Sequence, residues 1–294
     1  MNRQQIIYVS TAVIAVFLLF YFGRTVADHS GHNHAAATPA ANSTAPGLDF
    51  PTMLGLAKKR LNSRQLEKVT QWENTVVRGN VKEQQIQTYK TLSRFWMDSI
   101  GAFVPYIKYL GEAAKLESSE KNLTFAAHLL LAELQKVEEE PLKIWMAKEA
   151  KELFEKALEL NSANDSTKVG LGSTYFFGAA GANEPPMKGI GLIREVVEKN
   201  PNNAFAQYMM GVGSSVSGQW PKAIERFTKV AELEPENLEV QLRLADINER
   251  TGDKAAAKKW YERLLQTIKR QEKAGTMKPN PEMVKQIEEH VKSL

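Results

Sequence analysis

The sequence predicts an all-α chain in which paired helices stack into a solenoid behind a single N-terminal membrane helix. Three observations predict it. Gln4 to Gly23 carries no charged residue. From Pro51 onward apolar residues recur at helical spacing, and the long Val/Ile/Thr alternation of strands is missing. Two stretches near the C-terminus, 204–237 and 238–271, repeat one another at a fixed offset.

The apolar core of the first element, Ile6 to Phe22, reads IIYVSTAVIAVFLLFYF. About 20 residues rising roughly 1.5 Å each cross a hydrocarbon core of about 30 Å. Tyr8 and Tyr21 stand near its two ends, where aromatic rings favour the interface. Residues 4–23 are therefore expected to span a membrane as a signal anchor. The alternative is a cleaved signal peptide with Thr25-Val26-Ala27 as its small-residue site, although that apolar region is longer than such peptides need. With only Arg3 and the amino terminus before it, the simplest topology leaves the bulk of the chain extracytoplasmic, or periplasmic in a bacterium.

Residues 24–50 form an Ala/Pro/Ser/Thr-rich linker with no apolar periodicity, expected to stay disordered because it cannot bury enough surface to offset its ordering entropy. His29, His32 and His34 lie here, three of the five histidines in the chain. Imidazoles this close suit a soft divalent ion. A polar linker with incidental histidines explains them better, because ordering such a segment around an ion costs entropy and no helix fixes the ligand geometry, and no metal or other cofactor is expected.

Helices are predicted at 64–78, 82–99, 104–117, 121–138, 141–160, 165–178, 188–199, 204–216, 220–233, 238–250, 254–271 and 281–293. Pro141 suits a first helical turn, and Asn203 and Asn237 suit N-caps. Over the last two full units Gly211 aligns with Ala245, Gly218 with Gly252, Ala223 with Ala257 and Phe227 with Tyr261, each pair 34 residues apart. Pro235 closes one unit and Pro201, again 34 residues earlier, closes another.

That period and those residue types resemble the tetratricopeptide-repeat family. The small residues sit where the two helices of a hairpin approach, the glycines where the chain turns, and the aromatics where one unit meets the next. The resemblance implies right-handed stacked helical hairpins with a concave groove. It is closest over 204–237 and 238–271, and extends over 141–271. The unit at 165–203 keeps Gly172 and Tyr175 but has a hairpin loop, GAAGANEPPMK, about five residues too long. Before it, Ala150, Phe154 and Ala157 fit the second helix of a unit, whose partner around 124–137 is off register. Residues 51–140 read as degenerate repeats. Residues 281–294, with Val284, Ile287, Val291 and Leu294 on one face, read as the capping helix that a solenoid needs at its open end.

Chemistry is excluded more readily than assigned. With no cysteine there is no disulfide, thiol nucleophile, iron–sulfur cluster or Cys-ligated zinc, nor the lipobox Cys of a lipoprotein. The 38 basic and 34 acidic residues are interleaved, and a net +4 does not point to nucleic acid. Gly170-Leu-Gly172 and Gly211-Val-Gly213 follow no strand and precede no Lys-Ser/Thr, so they are packing glycines rather than phosphate loops. His128 and His290 stand alone, Glu138–Glu140 reads as a solvated helix end, and the five tryptophans read as packing residues. No enzyme is expected.

In the resembled family ligands lie along the first helix of each unit. Transferred position by position, the groove is lined by Ser166, Val169, Ser173 and Phe176, then Phe205, Tyr208, Val212 and Ser215, then Glu239, Leu242, Asp246 and Glu249, with Arg243 and Arg250 beside them. The Lys and Asn with which some members clamp a peptide carboxylate are replaced by Val169 and Ser173, so an extended or helical apolar peptide fits better. The expected function is that of a membrane-tethered adaptor or assembly factor for a protein partner. The alternatives are self-association into a homo-oligomeric scaffold and metal handling through the linker histidines.

Overall fold

In the computed structural model the described residues are 48–78, 81–177 and 186–294. The membrane helix expected over 4–23, the histidines His29, His32 and His34, and all of the linker before residue 48 lie outside them. Among the described residues no helix is long and apolar enough to cross a membrane. The fold there is helical throughout: α1 (Phe50–Lys58), α2 (Ser63–Arg78), α3 (Lys82–Arg94), α4 (Phe103–Glu117), α5 (Glu120–Leu134), α6 (Glu140–Leu160), α7 (Asp165–Phe177), α8 (Pro186–Lys199), α9 (Ala204–Val216), α10 (Trp220–Leu233), α11 (Leu238–Arg250), α12 (Lys254–Lys273) and α13 (Pro281–Ser293).

Helix α1 was not expected, and the linker ends earlier than residue 50. The Asp49 carboxylate caps α1 by accepting from the Thr52 amide at 2.8 Å, and Pro51 occupies its first turn, where a missing N–H costs nothing. Nine residues are too few for periodicity to stand out. Tertiary contact holds the helix: Met53 is buried, and the Phe50 ring stacks on Trp145 at 6.4 Å and meets Tyr109 edge-on at 5.8 Å. The helix expected over 82–99 changes its winding. After α3 the chain continues as a π-turn, Phe95–Ile100, and stops at Gly101 with φ 66°. Here Trp96 is fully buried and Phe95 packs edge-on against Trp72 at 5.6 Å.

Successive helices pair into hairpins: α3 with α4, α5 with α6, α7 with α8, α9 with α10, and α11 with α12. Helix α5 is thus the partner of α6 that the sequence placed out of register. The last three of these hairpins close through small residues. At α7/α8 the contact is Gly172 against Gly189. A Cβ at Gly172 would come within 2.7 Å of the Gly189 carbonyl oxygen, and a Cβ at Gly189 would press still harder on the Gly172 oxygen. At α9/α10 the Phe227 ring lies over Gly211, where a Cβ would stand 2.8 Å from it. At α11/α12 both Ala245 and Ala257 are completely buried. The turns between the helices of the last two full hairpins need a left-handed residue, and Gly218 (φ 69°) and Gly252 (φ 87°) supply it.

Adjacent units are joined by hydrogen bonds that repeat with the same period. The Asn203 and Asn237 side chains cap α9 and α11, accepting from Ala206 N at 3.0 Å and Val240 N at 3.1 Å. Four residues further on, the amides of Gln207 and Gln241 donate to the carbonyl oxygens of Pro201 and Pro235, at 2.8 and 2.7 Å. Both glutamines are buried, so these bonds satisfy groups that would otherwise be costly to leave dry. Helix α13 lies at the C-terminal end. Met283, Val284, Ile287, Val291 and Leu294 pack on the cluster of Ala245, Ala257, Tyr261, Leu264 and Ile268, although no residue of α13 is fully buried.

The glycine contacts separate two substitutions of the same kind. Gly172→Ala forces a methyl group onto backbone and is expected to destabilise the chain by about 1–3 kcal/mol. Gly191→Ala, one helix away, meets nothing within 4 Å and should stabilise it by roughly 0.5–1 kcal/mol through helix propensity. Urea denaturation of the two variants beside the wild type measures both signs.

Candidate protein-binding face

The groove-lining side chains come from the first helix of each hairpin, α5, α7, α9 and α11. An aromatic contact sets their common register. Tyr208 of α9 sits 5.7 Å from Phe227 of α10, and His128 of α5 sits 5.0 Å from Phe154 of α6. His128 thus takes on α5 the place Tyr208 takes on α9, and Phe125 takes the place of Phe205. Phe125 was not among the expected groove residues, because α5 could not be aligned from sequence. It is 55% exposed.

The middle of the groove is filled by the protein itself. The His128 ring reaches past α7 to Phe205 of α9, with ring centroids 5.6 Å apart, and its Nε2 lies 3.1 Å from Ser166 Oγ. Burial holds the His128 imidazole below its ordinary pKa and favours the neutral ring. Beneath it Val169 and Ser173 are completely buried, and the Ser173 hydroxyl donates to the Val169 carbonyl at 2.8 Å. Phe176 and Val212, expected to line an open groove, are buried as well. The physical reason for Phe176 is Gly213. A Cβ there would lie 3.2 Å from the Phe176 ring, so the missing side chain lets the ring settle against α9. Val212 joins the core with Phe227, Val230 and Leu244.

Toward the C-terminal end the expected residues do come together. The Tyr208 hydroxyl donates to Glu239, and Glu239 accepts from Arg243 Nη2 at 2.9 Å. The Arg243 guanidinium lies 5.4 Å from the Tyr208 ring centroid. Tyr208, Glu239 and Arg243 therefore satisfy one another. Asp246 accepts from the Tyr261 hydroxyl at 2.7 Å, and the same hydroxyl lies 3.1 Å from Glu249, which meets His290 Nε2 of α13 at 2.8 Å. Leu242 is 38% exposed, and Arg250 is exposed with its guanidinium 5.3 Å from the Trp220 ring. Of the expected groove residues, Leu242, Arg250, Glu239 and Ser166 are exposed. Ala223, Phe227, Ala245, Ala257 and Tyr261, singled out as repeat-defining, are buried in the hairpins.

Charge at this end is tuned by burial and by these bonds. Burial pushes the Tyr208 phenol well above its ordinary range, and the neighbouring Glu239 adds to this against the opposing pull of Arg243. For Glu239 burial works against ionisation, but the bonds from Tyr208 and Arg243 outweigh it and hold the carboxyl below its usual value. Asp246 moves the other way: burial raises it, the Glu249 charge adds to that, and the Tyr261 bond opposes. Among the described residues no group of three His, Cys, Asp or Glu could hold a metal ion.

Residues 217–276, running from the turn before α10 to just past α12, match the tetratricopeptide repeat family. No curated protein matches the chain. Solved structures similar to it include MamA from Desulfovibrio magneticus RS-1, starting at its residue 41, which is 21% identical over 63% of this chain and 96% of its own, with a TM-score of 0.45. PilW, described as a widely conserved type IV pilus biogenesis factor, is 14% identical over 63% of this chain and 78% of its own, at 0.46. YrrB, described as having an unusual peptide-binding site, is 17% identical over 66% of this chain and 90% of its own, at 0.39.

A depressed carboxyl adds stability above its unfolded value and loses it as pH falls through the folded one. Glu239→Gln is therefore expected to lower stability at neutral pH by less than about 1 kcal/mol, since the carboxylate is partly solvated. The difference should vanish as the pH falls below about 4, in chemical denaturation repeated across that range. With a 34-residue register that runs through cap, packing and hydrogen bond alike, the segment 217–276 is the part of the chain that matches the tetratricopeptide repeat family.

Proposed function

We propose that this protein is a membrane-tethered adaptor that holds a protein partner at the C-terminal end of its repeat face. The single observation that carries the reading is the contrast along the first helices. Val169, Ser173 and Phe176 on α7 are buried, whereas Leu242 and Arg250 on α11 reach solvent next to a preorganised Tyr208–Glu239–Arg243 cluster. An apolar side chain flanked by a guanidinium suits a short segment with an apolar residue and an acidic neighbour. Nothing in the arrangement supplies a nucleophile with an adjacent base, so the reading is one of binding rather than catalysis. The tether is residues 4–23, read from their uncharged length, and the repeats then lie on the extracytoplasmic side.

A photoreactive residue placed at Leu242, with one at exposed Lys258 on α12 as control, tests the docking face in cells. A distinct protein crosslinked from 242 alone, and lost when Arg250→Glu is added, is the expected result. Crosslinks only to a second copy of the chain would replace the adaptor with a self-associating scaffold. Crosslinks that are the same from both positions would remove the face. Separately, the full chain should stay with the membrane pellet after alkaline carbonate washing, and its release would remove the tether.

A further inference from the structure

We propose that His128 is a proton-operated latch over the middle of the repeat face: the neutral ring closes the face across α7, and the protonated ring leaves it and lets the face open. One side chain makes all the closing contacts. The ring lies 5.0 Å from Phe154 of α6 and 5.6 Å from Phe205 of α9, both edge-on, and its Nε2 is 3.1 Å from Ser166 Oγ of α7. Four helices therefore meet on one imidazole. Phe154 cannot follow the ring when it moves, because it is seated on Gly170 of α7, which has no side chain to hold it off. Phe205 is half-buried, and Val169 and Ser173 are completely buried beneath. The latch thus governs the stretch of face between exposed Phe125 on α5 and exposed Leu242 on α11. It does not depend on which molecule that face holds.

The surroundings of the ring offer nothing to a second proton. A protonated imidazole carries an N–H on both nitrogens. Nε2 has Ser166, but Nδ1 has no partner among the described residues, so its N–H is satisfied only by turning to water. No carboxylate is free to help. On α5 itself Glu120 accepts from Thr124 and Asn164, and Lys121, two turns away, is exposed. On α6 Phe154 shares its face with Lys151, whose ammonium lies 5.4 Å from the Tyr175 ring. On α7 Asp165 is held by Lys199 at 3.0 Å and Lys168 by Glu195 at 2.5 Å. Helix α9 carries no charged residue. Burial alone holds the ring below its ordinary pKa. An imidazole released into water titrates near about 6.5, whereas the latched ring takes the proton less readily. Falling pH therefore favours release from about that value downward, and the gain stops once the latched ring is protonated too. At neutral pH and above the latch is shut.

Because the chain contains no cysteine, single thiols report the opening. Ser173→Cys places one under the latch, Ser162→Cys one on an exposed turn, and Ser93→Cys one in the buried core of α3. Each full-length variant is labelled with a maleimide between about pH 7.5 and 5. Dividing by the rate at 162 removes the pH dependence of the thiol itself. The ratio at 173 is expected to rise by about threefold or more as the pH falls below about 6.5, while the ratio at 93 stays level. Adding His128→Phe, an aromatic ring that does not titrate, should flatten the rise at 173. His128→Tyr, the residue type found in the same register at 208, provides a second such ring. A flat ratio at 173 with His128 in place would overturn the proposal, as would an equal rise in both ring variants. A ratio that falls in acid would overturn it as well, since the two Phe rings would then be holding the cation. A matching rise at 93 would assign the effect to acid loosening of the whole chain and remove the latch.

Discussion

The structure depends on how closely the two helices of each hairpin can approach. Gly172 against Gly189 is the tightest instance, where each glycine lies against the other's carbonyl oxygen and no side chain fits between. Gly211 under Phe227 and Ala245 beside Ala257 solve the same problem with progressively more material. Once a hairpin is that thin, its large residues must be buried between units. Phe154, Phe227 and Tyr261 do this, and the stack becomes continuous. The polar bonds follow from the same geometry. The helix ends come close enough for Gln207 and Gln241 to reach the carbonyls of Pro201 and Pro235.

Thin packing also decides which part of the face is open. Helix α7 carries Gly170, Gly172 and Ser173, and its neighbours close over it: Phe154 lies on Gly170, and His128 and Phe205 meet across it. Helix α11 carries Leu242, Arg243 and Arg250 instead, and these long side chains stand up from the backbone. The open end therefore follows side-chain volume along the first helices.

Much of this architecture was legible in the sequence, and the failures have identifiable causes. The 34-residue offset located Gly211, Ala223, Phe227 and their counterparts, because small and aromatic residues at fixed spacing report directly on helix approach. Gly189 escaped notice because the longer α7–α8 loop shifts it five residues out of register, although it makes the closest contact of all. Helix α1 escaped because nine residues held by Phe50 and Met53 leave little periodic trace. The π-turn after α3 escaped because winding follows the burial of Trp96, which local spacing does not encode. Phe176 and Val212 were misplaced for a different reason. Position on a helix says which way a side chain points, whereas exposure depends on what fills the space opposite, and Gly213 is 37 residues beyond Phe176 in the chain.

Electrostatics divides the molecule along a similar line. Within the repeats several opposite charges are set against one another across helices, as Lys199 is with Asp165 at 3.0 Å and Arg270 with Glu236 at 2.9 Å. Partly exposed pairs of this kind add little stability, but they leave little field at a distance. A field extending beyond the protein exists only where charge is left uncompensated. Specific recognition needs the opposite arrangement: short-range groups held in place, such as Arg243 locked by Glu239 and Tyr208 beside an exposed Leu242.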